Sequence, residues 1–125
     1  MVQTDNSQLS AECNSWRENL RNFREQFNQS KMRLQEVAKN QLTGDSLKDV
    51  EHYHNQFHIQ LINIHDLKQA IKTHERKLDF EVAANGHPSD ETLSEHENLY
   101  NEYVSLEQML KELESDFGNF LSHSN

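Results

Sequence analysis

The sequence predicts an all-α protein: an antiparallel, up-down-up bundle of three long helices with coiled-coil packing. Apolar residues recur at alternating intervals of three and four over three long segments, which is the spacing that lines one face of a helix. Two of the three glycines and the only proline lie in short polar stretches between these segments, where helices are expected to end. Only 34% of the 125 residues are hydrophobic, which suits thin helices that bury a narrow seam.

The first helix is expected over residues 8–42. Gly44 can adopt the left-handed conformation that closes a helix, so the helix should end just before it. One polar residue, Ser30, interrupts its apolar stripe. The stripe consists of Leu9, Cys13, Trp16, Leu20, Phe23, Phe27, Leu34 and Val37.

The second helix is expected over residues 46–84 and should be the central element, against which both others pack. Asp45 or Ser46 can cap its first turn by accepting a hydrogen bond from a free backbone N–H group. The connection to the first helix is short, so these two helices must be antiparallel neighbours. Its stripe consists of Leu47, Val50, His54, Phe57, Leu61, Ile64, Leu67, Ile71, His74 and Leu78.

The third helix is expected over residues 89–121. Gly86 and Pro88 should end the second helix, and Ser89 should cap the third. Its stripe consists of His96, Leu99, Tyr103, Leu106, Leu110, Leu113, Phe117 and Phe120. We expect residues 1–125 to form a single domain. The predicted core contains Trp16, Phe23, Phe27, Phe57, Leu61, Ile64, Leu106, Leu110 and Phe117.

The net charge of −9 argues against nucleic acid and anionic membrane as partners, because both bind clustered lysine and arginine. The charge is uneven: residues 1–42 carry +1, residues 43–88 carry −2 and residues 89–125 carry −8. In a bundle of this topology, basic residues of the first helix could face the acidic third helix. The third helix could equally present its carboxylates to water.

The single cysteine, Cys13, excludes an internal disulfide and fits a reducing compartment. The N-terminus has neither the basic region nor the apolar run of a signal peptide. We therefore expect a cytoplasmic protein.

Two groups of residues are candidate metal ligands. Glu51, His54 and His58 lie along one face of the second helix, and Glu-x-x-His is half of the motif of di-iron carboxylate bundles. The second half of that motif is missing, and the alternative is one core histidine beside surface residues.

A second candidate group appears when the chain is folded at its two turns. Cys13, His74 and His96 then come to the same end of the bundle, where a thiolate and imidazoles would suit zinc. The alternative is that three core positions are filled by small or amphipathic side chains. No cofactor is expected.

Ile59 and Ile62 are the candidate interaction residues. They lie on the stripe opposite the one that holds Leu61 and Ile64, where a solvated helix should carry polar residues. They could contact a second copy of the chain or a partner helix. They could also widen the apolar face of a central helix.

The segment Val50-Glu51-His52-Tyr53-His54-Asn55-Gln56-Phe57, with Ile64-His65-Asp66-Leu67-Lys68 and His74-Glu75 further on, resembles a family of small uncharacterised bacterial helical proteins. That family has no assigned activity, so the resemblance implies no catalytic or binding residues. In architecture alone, a tryptophan in the first of three helices is also similar to a spectrin repeat.

The sequence carries no paired catalytic motif and no glycine-rich phosphate loop. We therefore expect a protein that is not an enzyme: a helical-bundle module for protein interaction or structure that self-associates or binds a protein partner. The alternative is a small metal-binding bundle that uses the histidines of the second helix.

Overall fold

The computed structural model describes residues 6–40 and 44–123, which form three α-helices joined by two short connections. Helix α1 spans Asn6–Ala38, α2 spans Gly44–Asn85 and α3 spans Asp90–His123. These ranges contain no β-strand. The predicted all-α bundle of three long helices is therefore confirmed.

Side-chain contacts show the directions of the helices. Residue numbers run in opposite senses where α1 meets α2 and where α2 meets α3, and in the same sense where α1 meets α3. Between α1 and α2, Arg17 contacts Glu75 and Phe27 contacts Phe57. Between α2 and α3, His74 contacts His96 and Phe57 contacts Phe117. Between α1 and α3, Cys13 contacts His96 and Asn19 contacts Tyr103. The topology is up-down-up, whereas coiled-coil packing in detail stays a prediction.

Seven of the nine predicted core residues are buried: Trp16, Phe27, Phe57, Ile64, Leu106, Leu110 and Phe117. The other two, Phe23 and Leu61, are only partly buried and pack against the edge of the core. The core extends along the bundle and includes side chains from all three helices.

The predicted inner face of α2 is wrong at three positions. Leu47 and His54 are exposed, and Gln60 is buried where Leu61 was expected. From Phe57 onward the buried positions follow strict steps of three and four, and the first step of three reaches Gln60 rather than the apolar residue beside it. The Gln60 side chain accepts a hydrogen bond from the Asn63 amide at 3.2 Å, so its polar end has a partner.

The first turn differs from the prediction. Helix α1 ends at Ala38 instead of near Leu42, and the backbone N–H of Asn40 donates to the carbonyl of Val37. Gly44 is the first residue of α2 and does not close α1. Residues 41–43, where the predicted end of α1 lies, fall outside the described ranges.

The second turn agrees with the prediction and has one additional feature. Gly86 has a φ of +82°, and the Ser89 hydroxyl accepts a hydrogen bond from the backbone N–H of Thr92. The additional feature is Glu81 of α2, whose carboxylate accepts hydrogen bonds from the Ser89 backbone N–H at 2.6 Å and the Thr92 hydroxyl at 2.7 Å. A side chain of α2 therefore helps to cap α3.

None of the three helices, over the residues described, has the length and apolar character needed to cross a membrane.

Candidate metal site between the three helices

Cys13, His74 and His96 meet at the end of the bundle where α2 turns into α3. Each helix contributes one of them, because each occupies a buried position of its own helix stripe. Their exposed fractions are 0%, 4% and 7%. The pattern of three stripes therefore places three potential metal ligands in the interior.

The donor atoms of these side chains converge. The His74 Nε2 and His96 Nδ1 atoms are 3.0 Å apart, and the Cys13 Sγ atom is 3.8 Å from His96 Nδ1. All three donor atoms lie within 4.8 Å of one another. Across residues 6–40 and 44–123, no other group of three His, Cys, Asp or Glu side chains is arranged as a candidate metal site.

A carboxylate lies behind each imidazole. Glu95 Oε2 is 3.9 Å from His74 Nδ1, and Glu12 Oε1 is 3.8 Å from His96 Nε2. These two outward nitrogens are buried and have no hydrogen-bond partner. The Trp16 ring packs against His96, with the two ring centroids 4.9 Å apart.

Burial keeps these groups uncharged in the absence of a cation. Desolvation, together with the charges of Glu75 and Glu12, raises the pKa of the Cys13 thiol to about 12. Desolvation also lowers the pKa of His74, with a contribution from His96, and it lowers the pKa of His96. The group therefore consists of a thiol and two neutral imidazoles, and a neutral imidazole has a lone pair that can bind a metal.

The other candidate ligands are not brought together. Glu51, His54 and His58 are all exposed on α2, and His54 is not the core residue that its place in the stripe predicted. The alternative, one core histidine beside surface residues, is therefore also wrong at His54, since all three side chains lie on the surface.

Ile59 and Ile62 are each 47% exposed. The remaining positions of the predicted outer stripe, residues 55, 66 and 69, are also exposed. The two isoleucines therefore lie outside the core, and their role as interaction residues stays a prediction. Tyr53 does not extend this surface, because its ring packs against Phe117 and Phe120 of α3.

Sequence reasoning missed Glu12 and Glu95. They immediately precede Cys13 and His96 in the chain, but acidic residues are common on the exposed faces of all three helices, and nothing in their spacing distinguishes them. Only the packing of α1 against α3 and of α3 against α2 shows which carboxylates lie behind the two imidazoles.

Comparisons of this chain with models of protein families, with curated proteins and with solved structures return no match. The resemblance to small bacterial helical proteins therefore stays a prediction.

Proposed function

We propose that the chain is a non-enzymatic helical bundle that binds one transition-metal ion between its three helices. The observation that carries this proposal is the convergence of Cys13 Sγ, His74 Nε2 and His96 Nδ1 within 4.8 Å in the interior. Because each helix supplies one ligand, a bound ion would hold the three helices in one arrangement. Its role would be structural.

The donor set and spacing suit a small thiophilic ion such as zinc. Zinc binds sulfur at about 2.3 Å and histidine nitrogen at about 2.0–2.1 Å, so tetrahedral angles place two nitrogens about 3.3 Å apart and sulfur about 3.6 Å from nitrogen. The two hydrogen-bonded separations, 3.0 Å and 3.8 Å, are close to these values. The widest separation, up to 4.8 Å, would have to shorten by about 1 Å.

Three protein ligands leave the fourth tetrahedral position to water or another ligand, as in catalytic zinc sites, but burial favours a structural role. All three side chains are at most 7% exposed, so a substrate could not reach an ion held between them. A reducing compartment such as the cytoplasm would keep the Cys13 thiol available for the metal.

The test is zinc binding by protein produced without a histidine tag. We expect one zinc ion per chain in elemental analysis, and tight binding when stripped protein is titrated against a competing chelator. Zinc at 100 times its Kd should add about 2.7 kcal/mol to the free energy of unfolding, because only the folded chain assembles the site. Co²⁺ should show a thiolate-to-metal charge-transfer band, which reports sulfur coordination without any substitution.

Two variants locate the site. Cys13→Ala should lose the charge-transfer band and the stabilisation by zinc while remaining helical. The matched control is His54→Ala/His58→Ala, which removes two exposed histidines of α2 and should bind zinc as the wild type does. If this control variant loses zinc binding while Cys13→Ala keeps it, the surface histidines bind the zinc and the buried site is refuted.

A second candidate function is self-association through the outer face of α2. Ile59 and Ile62 are half exposed on adjacent turns, and residues 55–69 hold one acidic and one basic side chain. Residues 89–125, by contrast, carry −8. Two copies of this acidic chain would therefore repel each other less if they met through this stretch of α2 than if they met through α3.

Replacing both isoleucines with glutamate tests this candidate. The Ile59→Glu/Ile62→Glu variant should keep its helicity and melting temperature, because both positions lie outside the core, and should show reduced association in sedimentation. The control is Met32→Glu, at a position of α1 that is 65% exposed. Unfolding of the double variant would mean that the two residues support the bundle instead.

A further inference from the structure

When both rings are neutral and the hydrogen bond between His74 and His96 forms, their two protons cannot also give each outward nitrogen an N–H group. Each neutral imidazole carries one proton. If His74 Nε2–H donates to His96 Nδ1 across the 3.0 Å contact, His74 Nδ1 has no proton and directs its lone pair at the Glu95 carboxylate. If His96 Nδ1–H donates to His74 Nε2 instead, His96 Nε2 has no proton and directs its lone pair at the Glu12 carboxylate. One lone pair opposes a carboxylate in either case.

A metal ion removes this conflict at both rings. If the inward atoms, His74 Nε2 and His96 Nδ1, both give their lone pairs to the metal, both outward nitrogens carry a proton. Each N–H can then donate to the carboxylate behind it, Glu95 for His74 and Glu12 for His96. The present separations of 3.9 Å and 3.8 Å would have to shorten by about 1 Å to reach hydrogen-bond length.

The charges around the site favour a divalent ion. With the metal bound, Cys13 is a thiolate, and Glu12 and Glu95 add two further negative charges. Lys77 contributes one positive charge through its 2.9 Å contact with Glu95, while Arg17 and Glu75 pair with each other and cancel. Over these groups a divalent ion brings the formal total to zero and Cu⁺ leaves one negative charge. The charges of Asp79 and Glu81, which also act on Cys13 and His74, make the surroundings more negative still and favour the higher cation charge.

We propose that the ion is divalent, with Zn²⁺ as the best fit, and that Glu12 and Glu95 are positioning residues that fix the proton of each histidine on its outward nitrogen. This inference rests on the proposed function and adds the charge of the ion and two residues that do not touch it. Carboxylates behind metal-binding histidines orient the rings and raise their basicity, and their removal typically costs 10–100-fold in metal affinity.

The test compares Zn²⁺ and Cu⁺ affinities of the full chain in competition titrations. Glu12→Gln and Glu95→Gln keep an acceptor oxygen and remove the charge, while Glu12→Ala and Glu95→Ala remove both. We expect each alanine variant to weaken Zn²⁺ binding about 10–100-fold, each glutamine variant to weaken it less, and Cu⁺ binding to change least. The cobalt charge-transfer band should persist in all four, because the sulfur ligand is unchanged.

The matched controls are Glu18→Gln on α1 and Glu97→Gln on α3, which remove exposed carboxylates of the same helices and should leave both affinities unchanged. All the glutamates concerned are at least one-third exposed, so the variants should fold. If the alanine variants bind Zn²⁺ as tightly as the wild type does, this inference is overturned and the proposed function stays intact. Equal losses for Zn²⁺ and Cu⁺ would overturn the divalent assignment. A wild-type chain that binds neither ion would refute the proposed function itself.

Discussion

Phe57 is the residue at which the aromatic side chains of the three helices meet. It is fully buried, and its ring centroid lies 5.4 Å from that of Phe27 on α1 and 4.9 Å from that of Phe117 on α3. Rings tilted or edge-on at these distances add a specific attraction to the burial of apolar area. Removing this ring would leave a cavity shared by all three helices.

We expect Phe57→Ala to lower the free energy of unfolding by about 3–5 kcal/mol, as measured by denaturant unfolding. Leu61→Ala should cost less, because this side chain is only partly buried at the edge of the core. The control Ile62→Ala, on the exposed face, should stay within about 0.5 kcal/mol of the wild type. A loss at Phe57 as small as that of the control would contradict the assigned core.

At the scale of elements, the junction of α2 and α3 depends on a residue outside the turn itself. The N-terminus of α3 has free backbone N–H groups, and Ser89 satisfies that of Thr92. Glu81 accepts a hydrogen bond from the N–H of Ser89, which is the role of the glutamate in a capping box. Here the glutamate belongs to the preceding helix, so the cap also joins α2 to α3.

This cap predicts a pH-dependent loss of stability. Hydrogen bonds from the Ser89 N–H and then the Thr92 hydroxyl lower the pKa of Glu81. Because the folded-state pKa is the lower one, the stabilisation is present above the unfolded-state pKa and is lost as the pH falls through the folded-state value. Glu81→Gln should therefore melt at a lower temperature than the wild type near neutral pH. The difference should begin to shrink below the ordinary glutamate pKa of about 4.3 and disappear once the pH is below the lowered folded-state value.

The control for Glu81→Gln is Glu102→Gln, at an exposed position in the middle of α3. Its melting temperature relative to the wild type should not follow the same pH profile. A difference between Glu81→Gln and the wild type that persists in acid would show that the carboxylate charge is not the cause.

At the scale of the whole molecule, the acidic third helix is not neutralised by the first. Within the described helices, no lysine or arginine of α1 forms an ion pair with a carboxylate of α3; Arg17 pairs with α2, and Arg21 with Glu18 and Glu25 of α1 itself. The possibility that basic residues of α1 face α3 is therefore not supported. The larger electrostatic effect is therefore repulsion among the carboxylates of residues 89–125, which carry a net charge of −8.

We expect the melting temperature to rise when salt increases from about 0.01 M to about 0.1 M, because the screening length falls from about 30 Å to about 10 Å. A variant with Glu97→Gln and Glu102→Gln, both exposed on α3, should respond less. A melting temperature that falls with salt would mean that attraction between helices outweighs repulsion within α3.

The sequence alone determined the number and type of elements, most of the core and the second turn. Apolar spacing reports which face of a helix is buried, and Gly86 and Ser89 act through local backbone geometry. These properties depend on neighbours within about one helical turn.

Only the tertiary structure decided what depends on the exact alignment of one helix against another. Leu61 and Gln60 are adjacent, and in the assembled bundle Gln60 is buried whereas the more apolar Leu61 is only partly buried. The convergence of Cys13, His74 and His96 was one of two alternatives in the sequence, because a shift of one turn, about 5.4 Å, would separate their donor atoms. The carboxylates behind the histidines could not be predicted at all, since long-range contacts between helices, rather than local spacing, bring them there.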